Sequence, residues 1–405
     1  MKGLVKTVSK EIAERRQLRR PSALHIATAD RLSQLNIAHW RTLTNGQSFF
    51  HSAEYLRGLE DFRPANIEPR YALISSADKP LATVYMQIAS MNLRDVGRPT
   101  RKRKLEGLRA RIQQRVLVCG NLLAYGIHGV CFAEGVSRAE LWPAVTEVLY
   151  RVRRAEKLAG NTDLVLIKDL NEAELAESSA LKKLSYGSVP TEPNMVLTLD
   201  RSWRSHEDYL KSLTSKFRSD IKNRVFKKFD DAGCVLEELS DVTTHAERLQ
   251  ELYLQVHGNA KLRPFTLSAA YWSGMAAIGG QNLTVHVARR GGNLIGFILS
   301  LKDGETAVAY HIGFDREAAE SGIPLYLRLL HASLAQGIAF GCRRISFGRT
   351  ALEPKARMGC APEPTYVWAR HRNPMVNKAV QPLLQLIEPA AAPQLSPFKA
   401  SQDKG

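Results

Sequence analysis

Apolar and polar positions alternate along this chain in two similar series. In the first series, residues 70–90 ("RYALISSADKPLATVYMQIAS") alternate as strands do, with a break at the turn sequence DKP. In the second, residues 283–314 show the same alternation, interrupted by the turn sequences GGN and DG. Each series therefore predicts a meander of antiparallel strands.

A helical pattern and a short apolar strand follow each meander. The two short strands end in polar pairs, Lys168-Asp169 in the first series and Arg349-Thr350 in the second. Because the second series repeats the order of the first, the chain is predicted to contain a duplicated domain. The predicted helix and strand of each series cover residues 139–160 and 162–170, then residues 324–341 and 342–350.

A meander, a crossover helix and a further strand together predict an α/β fold with mixed sheets covered by helices. The polar, basic start of the chain and its Ala/Pro/Ser-rich end predict loosely ordered termini. The predicted organisation is a basic N-terminal extension, two successive domains and a C-terminal tail, with boundaries at 1–44, 45–200, 201–375 and 376–405.

Composition adds a strong positive charge. The chain has 405 residues, a formal net charge of +17 and a pI of about 9.7, which favours anionic partners such as nucleic acid, lipid head groups or phosphorylated small molecules. The charge concentrates in residues 97–115 and 209–229. The second segment carries apolar residues at spacings of three and four, which also predicts a packed helix with a solvated basic face.

The cysteines and the apolar segments indicate the compartment. Five scattered cysteines without a C-x-x-C pair argue against a disulfide framework and a zinc site, so we expect no metal. No run of eighteen apolar residues and no secretory signal pattern is found. These features predict a cytoplasmic protein, with peripheral contact at the inner face of the membrane as a further option.

The order of elements and four stretches of sequence resemble the GNAT superfamily of acyl-CoA N-acyltransferases. The arrangement is most similar to its tandem-domain FemAB-like, or GNAT-six-type, branch. The stretches are "YLKSLTSKFRSDIKNRVFKKFDDAG", the run from "AYHIGFDRE" to "ALEPKARMG", "VCGNLLAYGIHG" and "VLIKDL". The resemblance covers most of residues 45–375 and implies two tandem GNAT-like domains.

The same resemblance implies direct transfer of an acyl group to an amine of an amino acid, amino sugar or polar lipid precursor. Acyl-CoA is the implied co-substrate, with no permanently bound cofactor. Typical members hold the pyrophosphate of coenzyme A on a glycine-rich loop, whereas "FDREAAESGIPLYL" has one glycine. Two alternatives therefore stay open: an aminoacyl-tRNA-dependent Fem-type transferase of envelope biosynthesis, and a non-catalytic module that binds an anionic surface.

Candidate site residues fall mainly in the second half. Catalysis needs a base for the amine and a proton donor for the leaving group, for which His311, Tyr310 and Glu353 are candidates. The alternative is that these residues are core or ion-paired. Residues proposed to bind the donor or substrate are Arg349, Thr350, Lys355, Arg316, Ser321, Gly322, Tyr326, Lys216 and Arg218, with Tyr326 also a candidate proton donor. A second possible site includes Asn121 and His128.

Overall fold

The structure is a computed structural model, and it describes residues 13–92, 113–260, 263–385 and 390–399. The basic segment 97–115 lies outside these residues except for its last three positions. Contacts divide the chain into two compact units. Unit 1 contains residues 1–60, 65–191 and 364–389, and unit 2 contains residues 61–64, 192–363 and 390–405.

Unit 1 alternates strands and helices. Its strands are β1 (His25–Ala29), β2 (Ile67–Ser76), β3 (Lys79–Asn92), β4 (Gln113–Cys119), β5 (Val130–Phe132), β6 (Thr162–Leu170) and parts of β7 (Gly187–Thr198) and β13 (Ala361–His371). Its helices are α1 (Ile37–Thr44), α2 (Ala53–Phe62, which ends in unit 2), α3 (Arg138–Ala155), α4 (Glu172–Glu177) and α13 (Pro374–Gln385), with 3-10 turns at Leu32–Gln34, Phe49–His51, Glu156–Leu158 and Ser179–Leu184.

The sheet of unit 1 has the strand order β1-β2-β3-β4-β6-β13, with β5 paired to β3. The β4–β6 pair is parallel and ends at Cys119↔Ile167, whereas the β1–β2, β2–β3 and β3–β4 pairs are antiparallel. Helix α3 buries Trp142, Val145 and Leu149 in the core against strands β3, β4 and β6. This parallel pair with its crossover helix matches the predicted mixed α/β layer.

Unit 2 opens with a segmented helical stretch and continues as a meander. Its helices are α5 (His206–Ser212), α6 (Ser215–Ile221), a π-helical segment (Lys222–Lys227), α7 (Lys228–Asp231), α8 (Ala246–His257), α9 (Ala269–Gly279), α10 (Arg316–Glu320), α11 (Leu325–Ala339) and α12 (Leu352–Arg357), with a 3-10 turn at Gly280–Asn282. Its strands are β8 (Cys234–Glu238), β9 (Leu283–Arg290), β10 (Asn293–Asp303), β11 (Thr306–Phe314) and β12 (Arg344–Ser346).

The sheet of unit 2 has the order β7-β12-β11-β10-β9-β8. Here β11 and β12 are parallel, and every other pair with a described register is antiparallel. Helix α11 buries Leu325, Leu329 and Leu334 in the core with residues of β10 to β12. Unit 2 therefore repeats the meander, crossover helix and parallel strand of unit 1.

The units depart from the predicted boundaries. Residues 61–64 and 192–200, predicted for the first domain, belong to unit 2. Strand β1, paired with β2, and helix α1 lie within the predicted N-terminal extension but belong to unit 1. Residues 364–389 return to unit 1, and residues 390–399 contribute to unit 2, so neither the second domain nor the tail is the continuous block that was predicted. Within the described residues, no helix combines the length and hydropathy needed to cross a membrane.

Candidate active site

A gap opens in the sheet of unit 2 where the parallel strands β11 and β12 separate. Their pairing ends at Val308↔Ser346. The chain after β12 stays with β7 instead, because Phe347 N–H donates to the Met195 carbonyl and Met195 N–H donates to the Gly348 carbonyl. Strand β11 continues to Phe314 without β12. Residues 309–314 therefore present a strand edge to the gap.

The exposed edge begins at a β-bulge. The register between β10 and β11 passes from Leu299↔His311 to Ser300↔Ala309, so Tyr310 has no opposite residue on β10. A bulge twists its strand locally, and such bulges are common beside active sites. The bulge lies two residues after the last β11–β12 pair. Separation of the strands and distortion of β11 thus coincide.

Helix α11 starts after β11 with free backbone donors. Pro324 occupies its N-cap position and provides no side-chain cap. The N–H groups of Tyr326 and Leu327 have no hydrogen-bond acceptor among the described residues, whereas Arg328 N–H already donates to the Pro324 carbonyl. The first N–H groups of a helix and its dipole together favour an anion. The start of α11 could therefore hold a phosphate.

The loop after β12 is fixed by Lys355. Its ammonium group is buried and donates to the carbonyls of Gly348, Arg349 and Thr350 at 3.2, 2.7 and 2.8 Å. Burial lowers the pKa of Lys355 to about 8. Because all three donors are used within the loop, Lys355 shapes the loop and does not present its charge to a ligand. The prediction that Lys355 binds the acyl donor or the substrate is therefore wrong, because its ammonium group binds the loop instead.

Tyr326 and Lys355 share a neighbour, the buried thiol of Cys360. The thiol raises the pKa of both groups, although burial is the larger influence on each. The net pKa of Tyr326 lies well above its ordinary value, so its hydroxyl keeps its proton at neutral pH. The start of α11 and the loop after β12 therefore meet near Cys360. A protonated phenol at this place could donate a hydrogen bond to a leaving group, although its raised pKa makes it a weak acid.

The other predicted binding and catalytic residues of this region lie on the loop after β12 and on α12, which together form the rim of the gap. Arg349 is half-buried, and Thr350 and Glu353 are exposed. Thr350 has a left-handed backbone with φ of 65°, which turns the chain sharply away from β12. The strand observed, Arg344–Ser346, is shorter than the predicted one, so Arg349 and Thr350 lie in the loop after it and Glu353 lies on α12. Their roles in binding or catalysis stay predictions.

Helix α6 borders this rim. Arg357 on α12 donates to Asp220 at 2.9 Å, and its guanidinium carbon lies 5.8 Å from the centre of the Phe217 ring. Lys216 and Arg218 flank Phe217 on α6, with Lys216 exposed and Arg218 half-buried. They therefore lie on a helix that contacts α12, as expected for residues that border the same cleft.

His311 lies in an aromatic cluster with α8 and α9. The hydroxyl of Tyr271 is 3.0 Å from both His311 Nε2 and the Tyr310 hydroxyl. Burial, with a smaller contribution from the charge of His257, lowers the pKa of His311 to about 3. His311 is therefore neutral at physiological pH and too weak to hold the proton of an amine. The structure thus argues against its predicted role as general base and favours a positioning role.

The predicted anion loop is already hydrogen-bonded within itself. The N–H groups of Ser321 and Gly322 donate to the carbonyls of Glu317 and Ala319 at the end of α10. Arg316 is paired with Glu320 at 3.0 Å and also donates to Asn259. Ser321 and Gly322 therefore cannot supply the N–H donors that were predicted. The free donors lie a few residues later, at Tyr326 and Leu327.

The corresponding gap in unit 1 is filled by its own side chains. Lys168 Nζ donates to the carbonyls of Asn121 and Ala124 at 2.9 and 2.8 Å, and it pairs with Asp169. Asp169, like Thr350, has a left-handed backbone, and its carboxylate accepts the N–H of Gly126. Lys168 and Asp169 thus lie within β6, whereas Arg349 and Thr350 lie in the loop after β12, and unit 1 closes its gap with an ammonium group from the strand itself.

The second possible site of unit 1 is also internally bonded. Asn121 is fully buried, donating to Tyr55 at 2.8 Å and accepting from Gln87 and from Leu123 N–H. His128 bonds to Ser48 and to the Tyr125 carbonyl, and burial lowers its pKa to about 3. Both residues have the environment of satisfied core groups. This geometry argues against the second site.

Comparison with known proteins finds a family match within unit 2 and similar folds over most of the chain. Residues 215–356 match the family Acetyltransf_6, described as Acetyltransferase (GNAT) domain. The solved structure of FemX is similar over 88% of this chain and 100% of its own, at 9% identity and a TM-score of 0.54. A tandem GNAT protein from the clavulanic acid biosynthesis pathway is similar over 87% and 99%, at 12% identity and a TM-score of 0.50.

The fold of the chain is thus similar to that of FemX and of a tandem GNAT protein. The match to the GNAT domain family falls within unit 2, and unit 1 has a similar order of elements. No curated protein sequence matched the chain.

Several residues of the site were missed by sequence reasoning. Tyr271 contacts His311, and the charge of His257 lowers the pKa of His311. Cys360 raises the pKa of Tyr326 and of Lys355. These residues lie on different elements. Tyr271 lies in the apolar helix α9, where the pattern predicts that an aromatic residue belongs to the hydrophobic core. Only the tertiary fold, which brings α9 close to β11, places the Tyr271 hydroxyl beside His311. No local spacing in the sequence gives that information.

Proposed function

We propose that unit 2 transfers an acyl group from acyl-CoA, or a related thioester, to an amine on a small polar acceptor. The observation that supports this most directly is the gap between β11 and β12, which lies beside the free N–H groups at the start of α11. A strand edge and a helix N-terminus together suit an extended thioester with a phosphate-bearing end. The GNAT match covers the residues that build both features.

In this proposal the amine nitrogen attacks the thioester carbonyl carbon, and the resulting oxyanion collapses to expel the thiolate. The amine must lose a proton, and the thiolate must gain one. The proton that the amine loses would pass to solvent, and the thiolate would take its proton from solvent. Tyr326, which stays protonated, would donate a hydrogen bond to the departing thiolate. Neutral His311, hydrogen-bonded with Tyr271 and Tyr310, would have a positioning role and would not accept the proton of the amine. Arg349 would contact the donor or an acidic acceptor.

A charge placed at the start of α11 tests the phosphate site. Asp at position 324 would cap the free N–H groups and add a negative charge, so Pro324→Asp should stabilise the fold and weaken binding of acetyl-CoA about 10-fold. Ser137 is the N-cap of α3, the corresponding helix of unit 1, and also lacks a side-chain cap bond. Ser137→Asp is therefore the matched control and should leave the affinity unchanged.

Titration calorimetry with coenzyme A and acetyl-CoA would measure both variants and the wild type. Equal affinity in wild type and Pro324→Asp would refute the phosphate site at α11. If wild type binds neither ligand but binds bulk transfer RNA with a steep salt dependence, the donor is an aminoacyl-tRNA, as in Fem-type enzymes. Absence of binding to all of these would leave the non-catalytic module.

A further inference from the structure

A basic cavity lies in unit 1 at the C-terminal end of α3, and every residue of its wall belongs to unit 1. Its volume is about 480 Å³, and its wall contains four basic side chains and no carboxylate among the described residues. The basic residues are Arg153, Arg154, Lys157 and Arg372. Asp163, next to the wall, is paired with Arg372 at 2.5 Å. The cavity therefore keeps an excess of positive charge.

The helix dipole of α3 explains part of this charge. Cations in the last turn of a helix stabilise it, and Arg153 and Arg154 occupy that turn. However, Lys157 lies beyond α3, and Arg372 comes from the end of β13. Arg370 also lies close enough to Arg153 to lower its pKa, although burial is the main cause of that shift. Like charges brought together from separate segments are unfavourable unless an anion joins them.

An aromatic ring stands among these cations. Tyr150 is 46% exposed, which is unusual for a large side chain inside a cavity wall. Arg153 holds its guanidinium carbon 5.6 Å from the ring centre, and Arg154 donates to the Tyr150 hydroxyl at 3.3 Å. The ring is thus oriented by two arginines. An exposed, oriented ring beside cations is suited to stack on a planar ring that carries phosphate.

Two further features of the wall favour an anion. Thr162 is 2% exposed, and its hydroxyl has no hydrogen-bond partner in the part of the chain that the structure describes. A buried hydroxyl without a partner is costly, so a ligand atom would be a favourable partner. Asn373 and Pro374 bring the start of α13 to the cavity. The positive end of that helix dipole adds to the field of the side chains.

We propose that this cavity binds a phosphorylated ligand of the nucleotide type, with its phosphate on Arg154, Lys157 and Arg372 and its ring on Tyr150. The concave shape and the single exposed ring suit one small nucleotide and do not match a flat lipid surface. The proposal does not depend on the transferase reaction of unit 2. It assigns unit 1 a ligand of its own.

ADP is the probe, measured by titration calorimetry at 150 mM salt on the full chain. Arg154→Glu/Lys157→Glu should weaken ADP binding at least 10-fold. Lys79→Glu/Lys182→Glu carries the same charge change on exposed lysines of unit 1 outside the cavity, and it should change the affinity less than 2-fold. Equal losses in the two double variants, or absence of ADP binding to wild type, would overturn the proposal.

The ring is tested by Tyr150→Ala. This variant should weaken ADP binding several-fold while leaving the affinity for inorganic pyrophosphate unchanged. An unchanged ADP affinity would refute the nucleotide assignment. Vesicles containing phosphatidylglycerol that bind wild type when ADP does not would equally overturn it, in favour of a lipid head group.

Coenzyme A also contains an ADP group, so the two sites must be separated. Acetyl-CoA and ADP are therefore both measured on Arg154→Glu/Lys157→Glu and on Pro324→Asp. Loss of ADP binding only in the first variant supports the cavity of unit 1. Loss of acetyl-CoA binding only in the second supports the transferase site. Either proposal can thus fail without the other.

Discussion

Lys355 shows how one buried charge fixes a loop. Its ammonium group satisfies three carbonyls at the turn where the chain leaves β12. A buried charge is tolerated only when it is well bonded, and here every donor has an acceptor. The same use of a lysine occurs in unit 1, where Lys168 bonds the carbonyls after β4. The two lysines, however, come from different positions relative to their strands.

Lys355→Met should therefore destabilise the protein by about 3 kcal/mol, because the buried loop carbonyls lose their donor. Arg357→Met is the matched control on the same helix. Arg357 is exposed and makes a surface ion pair with Asp220, so its loss should cost at most about 1 kcal/mol. Urea unfolding would measure both. Similar midpoints for the two variants would contradict the structural role of Lys355.

His51 gives a prediction for acid stability. Its side chain is 5% exposed, and burial lowers its pKa to about 4, although a bond to the backbone of His128 raises it. The unfolded state, with an ordinary pKa near 6.5, takes up the proton first as pH falls. The stability that neutral His51 contributes is thus fully present above about pH 6.5 and is lost as the pH falls from about 6.5 to 4.

His51→Phe removes this proton uptake, so the free energy of unfolding should fall less steeply in that pH interval than in the wild type. The expected difference approaches about 3 kcal/mol at pH 4, from about 1.4 kcal/mol per unit of pKa difference. Urea unfolding at several pH values would measure it. Parallel pH curves for the two proteins would show that His51 is not the group that titrates.

At the scale of elements, a segment from the end of the chain supports the helices that open unit 2. Thr214 N–H donates to the Pro397 carbonyl at 2.9 Å, and Lys399 N–H donates to the Ser212 carbonyl at 3.0 Å. Phe398 packs on the rings of Trp203 and Tyr209 at centroid distances of 5.9 and 6.3 Å. The segment therefore bonds to the break between α5 and α6.

Phe398→Ala should destabilise the protein by about 2 kcal/mol, less than a fully buried ring would because Phe398 is half-buried. Leu395→Ala is the control, since Leu395 is 40% exposed in the same segment and should change little. Thermal unfolding would compare the two. An unchanged melting temperature for Phe398→Ala would mean that the segment adds no stability.

At the scale of the whole molecule, the two units have similar folds, but the gap between the parallel strands is open in unit 2 and bridged by side chains in unit 1. In unit 2 the edge of β11 is open at residues 309–314, whereas in unit 1 Lys168 and Asp169 bond the backbone across the corresponding place. One site for the thioester per chain is expected, although the fold occurs twice. The bonds that Lys168 and Asp169 make in unit 1, and not a difference in fold, account for the closed gap there.

Calorimetric titration of the Arg154→Glu/Lys157→Glu variant with acetyl-CoA should therefore give a stoichiometry close to one. This background removes the proposed nucleotide cavity, so that a second binding event cannot arise there. Pro324→Asp added to it should weaken the remaining event. A stoichiometry of two would show that unit 1 also binds the thioester.

The sequence by itself determined the duplicated α/β layer, because strand alternation and helical spacing are local properties that burial of each face enforces. It also selected the apolar face of residues 209–229, where Leu210, Ile221 and Phe229 are buried. The tertiary structure decided that this stretch breaks at Leu213 and Thr214, since the C-terminal segment bonds to the backbone there.

The tertiary structure also decided the roles of the polar residues. Whether Lys355 faces a ligand or three carbonyls, and whether His311 can hold a proton, depends on groups that are distant in sequence. Hydrogen bonds and desolvation act over a few ångströms in space, and residue spacing along the chain does not encode those distances. The sequence pattern thus indicated which polar residues follow the core strands, and only the fold decided which of them remain available for chemistry.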